Sequence, residues 1–574
     1  MSTGPAGFFR YKGHVATMRA SSEKRGEVLA MLRELLAEGR TDDVLAVVSQ
    51  LVARNSELER RLAQVLSAGR KNEGVPTAQL QLILDKIEVE AGSDENGLDP
   101  AIAAANEKLR EASGIDKTDE RTEDKEAGRR KRQPPLRRTI PASLPRVDNP
   151  IKVPDAERAC PACGAARVCI GHDVTEVVEL VPAKLVVRRD AREKLGCESC
   201  DGEIVRAPAG DKVVAGGRLG STLVGMLLVD KYDDGLPLHR QKQRFERMGL
   251  SLPISTLADQ VTWATDLLRP LWRLATLEVL AAKVMHLDGT GLPVLDRAAP
   301  GGKRLGTLWG YVGDQDVAAY LYASTGKKVG QKPGELGPED MLKLRNGYTV
   351  ADASGLFDAS FERPELIECG CHMHARRYCT KALDAGDARA ALPIAAYKKL
   401  YEIEEKARDL EPEERLAVRQ AESKLVWEEL CSWCETYRPH EPPTSKLGDA
   451  LRYLTNHKVA LGRFLEDGAI PIDNGIVERL HVRAALTRKN YLFAGSDAGG
   501  ERAAIAYTIL GCCRLAGVDP AAYLTDVLPR LARRIRIADV GALMPARWKA
   551  RRPAAPPTPG LPAAIDAAQP TVAI

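Results

Sequence analysis

A multidomain α/β architecture is what this 574-residue chain predicts. Three observations carry that expectation. The length exceeds what a single hydrophobic core supports. Residues 281–380 hold short apolar runs of β type, set between helical stretches at 219–280 and 381–465. Residues 466–535 return to helix dense in motifs. The composition is globular, 44% hydrophobic and 28% charged. No apolar run approaches the ~20 residues of a membrane span. The start, MSTGPAGFFRYKGHVATMRA, lacks the apolar core and small-residue cleavage site of a signal peptide. A cytoplasmic protein without membrane contact is therefore expected. The net charge is only +4, so a nucleic-acid footprint must come from local basic patches. Twelve cysteines in that compartment point to metal ligands or buried thiols rather than disulfides.

The N-terminal region, 1–108, reads as helix. Val44, Val48, Leu51, Asn55, Leu58, Leu62 and Val65 alternate steps of four and three, the seam of a coiled coil. Asn55 then occupies an a position, which favours a parallel homodimer in one register. An amphipathic helix packed inside its own chain fits the same pattern. Residues 109–153 read as a basic linker with too little apolar surface for a core. Arg129, Arg130, Lys131, Arg132, Arg137 and Arg138 crowd one stretch that prolines keep extended. Such a segment either tracks DNA phosphates or is a solvated spacer.

Residues 154–210 read as a zinc-ribbon domain. Cys160-Pro-Ala-Cys163 and Cys197-Glu-Ser-Cys200 are two CxxC pairs, each able to place two thiolates on one tetrahedral zinc. Four protein ligands leave no open position, so the zinc is structural. The β-branched stretch between the pairs suits a hairpin. Four buried, metal-free cysteines are the alternative. Residues 219–280 read as helical and helix-turn-helix-like, with a helix at 238–248, a turn at Gly249–Pro253 and a helix from about Ser255. Four Lys/Arg on the first helix suit DNA; ordinary helical packing explains it equally.

The segment 281–535 reads as the core. Val284–Leu287 is an apolar run ending at Asp288, as in a buried strand tipped by a carboxylate. GTLWGYVGDQDVAAYLYAS gives two strands turning near Asp314, PEDMLKLR a helix, and Gly347–Ala351 a strand ending at Asp352. Three antiparallel strands, a helix and a further strand form the opening order of a ribonuclease-H-like domain, in which the first and fourth strands are neighbours. Asp288 and Asp352 would then meet. Downstream, Asp473-Asn474 offers an Asx cap to a helix with Glu478 in its first turns. Three clustered carboxylates repel and call for divalent cations. Two Mg²⁺ (or Mn²⁺) ions about 3.5–4 Å apart serve phosphodiester cleavage and joining alike. Three unrelated surface acids are the bland alternative. The segment 536–574 is a C-terminal motif followed by a Pro/Ala-rich tail.

The block IPIDNGIVERLHVRAALTRKNYLFAGSDAGGERAAIAYTILGCCRLAGVDPAAYLTDVL carries a DN-x-x-x-ER helix, RKN-x-LF-x-GS, GG-x-R-A-A and G-x-x-P-x-x-YL-x-D-x-L. It closely resembles the C-terminal signature of the insertion sequence 66 family of transposases. CHMHARRY at Cys371–Tyr378, LPLHRQ at Leu236–Gln241 and ADVGALMPARWKA at Ala538–Ala550 resemble further boxes of that family. The resemblance implies a DDE transposase that cleaves DNA at transposon ends and transfers strands to target DNA. Its three acids carry over as Asp288, Asp352 and Glu478. It further implies a helical insertion between the second and third acids, here 380–465, and accessory proteins from the same element. Two neighbours depart from the pattern: Gly289-Thr290 follows the first acid where Glu-Thr is usual, and Asp352-Ala353-Ser354 replaces a DGY-like motif. A decayed copy kept as a zinc-containing DNA-binding regulator is the alternative, and a nuclease of the same fold a third.

Cys371 and His374 form a CxxH pair before the insertion, and Cys431 and Cys434 a CxxC pair inside it. Together they offer a second zinc site, or an unmetallated cluster. Arg376, Arg377, Arg488 and Lys489 are the basic residues nearest the three acids, open to phosphate clamping or to salt bridging.

Overall fold

The computed structural model describes residues 99–115 and 219–551, single positions excepted, with isolated positions before 219. The heptad seam 44–65, the basic run Arg129–Arg138, the cysteines Cys160, Cys163, Cys197 and Cys200, and the tail after 551 lie outside the described residues. A two-residue antiparallel ladder pairs Lys194 with Arg206 and Leu195 with Val205, flanking Cys197 and Cys200 in sequence.

The chain forms two compact units. One gathers His374–Leu410 and Ala417–Lys458 with the N-terminal helix Pro100–Ser113. That helix begins where Asp99 caps Ala101 N at 2.9 Å and ends at Gly114, φ +63°. Its buried stripe Ile102, Ala105 and Leu109 repeats at helical spacing. Asn106 Oδ1 accepts from Trp433 Nε1 at 2.8 Å and from the Tyr437 hydroxyl at 2.9 Å. The helical insertion therefore takes one of its helices from the N-terminal region, which the sequence reading had kept apart. Arg419 is buried, and its guanidinium meets Glu404 through two bonds of 2.7 Å. Removing either partner would strand a buried charge.

The second unit is built on a five-stranded mixed sheet. Three helices lead into it: α1 (Ser221–Tyr232), α2 (Leu238–Arg247) and α3 (Ile254–Ala281). The turn between α2 and α3 uses Gly249 at φ +85°. Buried Gln241 of α2 donates to Leu227 O and Leu236 O, and Arg244 pairs with buried Asp230 of α1. One face of α2 is thus committed to packing, while Arg240 and Arg247 stay exposed.

The strands are β1 (Val284–Leu295), β2 (Lys303–Gly313), β3 (Val317–Ala323), β4 (Gly347–Ala351) and β5 (Leu366–Gly370). Helix α4 (Pro338–Lys343) precedes β4. The order across the sheet is β3-β2-β1-β4-β5, with the first three antiparallel and β1, β4 and β5 parallel. Every residue of β3 is buried, because α3 and α6 (Asp497–Leu515) pack on it. Its edge is satisfied by side chains: Thr508 Oγ1 accepts from Tyr320 N at 2.7 Å, and Trp272 Nε1 donates to Tyr320 O at 2.8 Å. A strand edge closed in this way offers no template for another chain.

Candidate active site

Asp288 does not end its strand. The sequence GTGLPVL reads as a break after Asp288, yet β1 runs on to Leu295, paired to β2 as far as Leu295–Lys303. Asp288 lies mid-strand, half-buried, opposite Gly310. On the other side β1 meets β4 in parallel, with Val284 opposite Tyr348 and His286 opposite Val350. The ladder ends at His286–Val350, two residues before Asp288 on β1, and Asp352 follows the last residue of β4. A further acid, Glu368 of β5, is half-buried nearby. Burial first, then the charges of Asp358 and Asp352, push its carboxyl up.

Helix α5 (Gly475–Tyr491) carries Glu478 in its first turn. Its docking on β1 is fixed by a buried polar cluster. Asn474, fully buried, donates from Nδ2 to Leu287 O at 2.8 Å. Its Oδ1 lies 3.0 Å from His286 Nδ1, and its backbone N–H points at Cys371 Sγ, 3.2 Å away. With Nδ2 donating, Oδ1 is left to accept, so His286 carries its proton on Nδ1. Burial holds the His286 imidazole down to about 4, hence neutral. The Asx turn at the helix start belongs to Asp473, whose Oδ1 accepts from Gly475 N at 2.8 Å. Of the pair read as an Asx cap, Asp473 thus supplies the turn and Asn474 makes no side-chain cap.

Asn474, Glu478, His481 and Arg488 follow at steps of four, three and seven, which is one face of a helix. Asn474 meets β1 at Leu287, His481 Nε2 stands 3.6 Å from Asp288 Oδ2, and Arg488 Nη1 donates to Thr290 Oγ1 at 3.1 Å. That face is turned to β1, and Glu478 lies on it between Asn474 and His481. His481 was not foreseen from the sequence; its only signal is its place one turn after Glu478. It is buried against Tyr320, whose hydroxyl is 3.3 Å from Nδ1, and burial lowers it to about 4. It fits because residue 310 is glycine: a Cβ there would sit 2.6 Å from His481 Cε1.

Of the two departures beside the acids, one has a local packing cause and the other sits on a strained backbone. At Gly289 a Cβ would fall 2.6 Å from the Trp309 ring, so this chain fills with an indole the space a larger residue would need. Ala353, directly after Asp352, holds φ +51°, the left-handed region that favours glycine. Ala353→Gly should stabilise the fold by about 0.5–1 kcal/mol, relief of the left-handed penalty less the added chain entropy. The urea midpoint should rise; an unchanged or lower midpoint contradicts the strain.

The predicted basic residues divide. Arg488 is bonded to β1, at Thr290 and at Gly291 O, while Lys489 is exposed. Arg376 lies over the Tyr401 ring at 5.9 Å within the helical unit, and Arg377 is half-buried there. Among the described residues no group of three or more His, Cys, Asp or Glu side chains stands so as to hold a metal ion. That statement covers the three carboxylates. Cys371 is engaged by Asn474 N. Cys431 and Cys434 are buried on one face of the helix Lys424–Tyr437, and burial raises both thiols, Cys431 to about 12.

The comparisons bear on the whole chain. The family model "Transposase IS66 family" matches residues 216–502, "zinc-finger binding domain of transposase IS66" matches 157–201, and "IS66 C-terminal element" matches 508–546. The zinc-finger match spans both upstream CxxC pairs. Three similar curated proteins come from Sinorhizobium fredii. "Uncharacterized protein y4hP" is 32% identical over 84% of this chain and 87% of its own length. "Uncharacterized protein y4jD" is 30% identical over 72% and 82%, and "Uncharacterized protein y4qI" 30% identical over 91% and 96%. No solved structure matches.

Proposed function

The chain belongs to the IS66 transposase family and carries that family's zinc-finger domain, and from this premise we propose a ribonuclease-H-like DDE transposase. Asp288, Asp352 and Glu478 are its catalytic acids. The observation that carries the reading is the parallel pairing of β1 with β4, which brings the strand of Asp288 beside the strand that leads into Asp352. Asp288 lies two residues past the last rung that pairs β1 with β4, Asp352 directly follows β4, and Glu478 lies on the helix face turned to β1. The strand order β3-β2-β1-β4-β5, with its antiparallel half and its parallel half, supports a ribonuclease-H-like core. Cys160, Cys163, Cys197 and Cys200 would hold one structural zinc. DNA, at the transposon ends and at the target, is the partner. Among the described residues no helix is long and apolar enough to cross a membrane.

The donor set fits divalent magnesium or manganese: three carboxylates, hard oxygen ligands of the kind those ions take. Bound there, two such ions would lower the pKa of an attacking oxygen and stabilise the leaving one. The rest falls to the chain. Asp288 is oriented by the Gly289 N–H, which donates to Oδ1 at 2.8 Å, and His481 packs 3.6 Å from its other oxygen. Glu478 is positioned through Asn474, which registers α5 on β1. In the first step water adds to the phosphorus at the element's end and the P–O3′ bond breaks, freeing a 3′-OH. In the second that hydroxyl adds to a target phosphorus and the target's P–O3′ bond breaks. The full chain, given Mg²⁺ and a labelled transposon end, should nick the end and then join it to a second duplex. Binding without nicking in Mg²⁺ or Mn²⁺ would reject the enzyme, and nicking without joining would reduce it to a nuclease.

A further inference from the structure

Beside the loop that follows α5 lies a cavity of about 200 Å³. Its walls come from two of the motif blocks, Tyr491 and Phe493 from RKNYLF and Arg502 from GGERAA, and from Lys231 of α1. Lys231 Nζ stands 4.9 Å from the ring centroids of both Tyr232 and Tyr491. Neither Lys231 nor Arg502 makes a hydrogen bond or an ion pair among the described residues. No Asp or Glu lines the cavity among the described residues, and burial first, then the Arg502 charge, lower the Lys231 ammonium to about 8. Two half-buried cations sharing one cavity without an acid are electrostatically unfavourable until an anion joins them. The rim supports the same reading. Leu492, 65% exposed, is held at φ +66°, and Phe493 beside it is 40% exposed. Strain at an exposed apolar residue is of the kind that persists at ligand-holding sites.

We propose that this cavity is a DNA-binding subsite in which Lys231 and Arg502 take one phosphodiester and Tyr491 and Phe493 cover its sugar or base. Paired cations for the phosphate and aromatic faces for the nucleoside are how proteins hold a strand regardless of sequence. The wall loop is tied to the strand that carries Asp288: Leu295 N donates to Ala494 O and Ala494 N to Pro293 O, both at 2.8 Å. A phosphate held here would therefore fix DNA to the same framework as the carboxylates. The proposal rests on the family reading of DNA as substrate.

Two measurements on the full chain test it. Binding of a labelled duplex is followed as salt is raised, for the unaltered chain and for Lys231→Gln and Arg502→Gln. Each variant should weaken binding and lower the slope of log affinity against log salt by about one. In the unaltered chain, brief acylation at pH 8 followed by peptide mass mapping should modify Lys231 several-fold more slowly when DNA is bound. DNA binding with unchanged slopes and unprotected Lys231 overturns the subsite but leaves the family reading standing. Failure of the unaltered chain to bind DNA overturns the reading itself. Protection by inorganic phosphate or a free nucleotide, but not by DNA, overturns the subsite as one for DNA.

Discussion

Asp288→Asn and Glu478→Gln should each lower strand transfer by at least about 10³-fold, since the ions these acids would hold supply several kcal/mol and each 1.36 kcal/mol is tenfold in rate. Binding to the transposon end should stay within a few-fold of the unaltered chain. The separation is expected because neither change disturbs the fold. Asp288 is half-buried and takes the Gly289 N–H on Oδ1, a bond an asparagine carbonyl can keep. Glu478 is half-buried in the first turn of α5, where glutamine is as good a helix former. Asp352→Asn should behave likewise. Gel-resolved joining products and end-binding titrations read the two effects apart. A variant that joins at the unaltered rate removes its acid from the assignment.

Asn474→Ala should cost about 2–4 kcal/mol, because it strands both His286 Nδ1–H and Leu287 O in the interior, at about 1–3 kcal/mol for each unsatisfied group. The loss should appear as a lower urea midpoint at unchanged slope. Asn474→Asp should not rescue it: a carboxylate accepts from His286 but donates nothing to Leu287 O, and it buries a charge. In protein that remains folded, strand transfer should fall further than end binding, since Asn474 acts by setting α5, and with it Glu478, against β1. A midpoint unchanged by Asn474→Ala would show that the helix is held by something else.

Much of this arrangement was legible in the sequence, and the misses share a cause. The runs at 284–287, 307–323 and 347–351 announced strands through β-branched and aromatic residues, and they put Asp288 and Asp352 on the first and fourth of them. The run-on of β1 was not legible. Gly289, Thr290, Gly291 and Pro293 read as breakers, yet β2 supplies a partner for each and the Trp309 ring fills the space above Gly289. The Asp473-Asn474 pair was recognised as a helix start, but either residue can cap. Only the position of Leu287 O and His286 decides that Asn474 turns inward and Asp473 makes the turn. The N-terminal helix joins the insertion through Asn106, Trp433 and Tyr437, a contact across more than 300 residues that no local pattern announces. His481 was hidden for the same reason: its role beside Asp288 depends on the missing side chain at Gly310, on another strand. Motif glycines and caps became intelligible afterwards. Ser496 caps α6 by accepting from Gly499 N, and a Cβ on Gly500 would strike the Tyr322 ring at 2.5 Å.

The central claim is that three acids from β1, the end of β4 and α5 form one metal centre. Anomalous diffraction from crystals of the full chain grown with DNA and Mn²⁺ tests it most directly. The account predicts two manganese peaks about 3.5–4 Å apart, bounded by the carboxylates of Asp288, Asp352 and Glu478. Manganese bound elsewhere, or a centre that leaves out any one of the three, would contradict it.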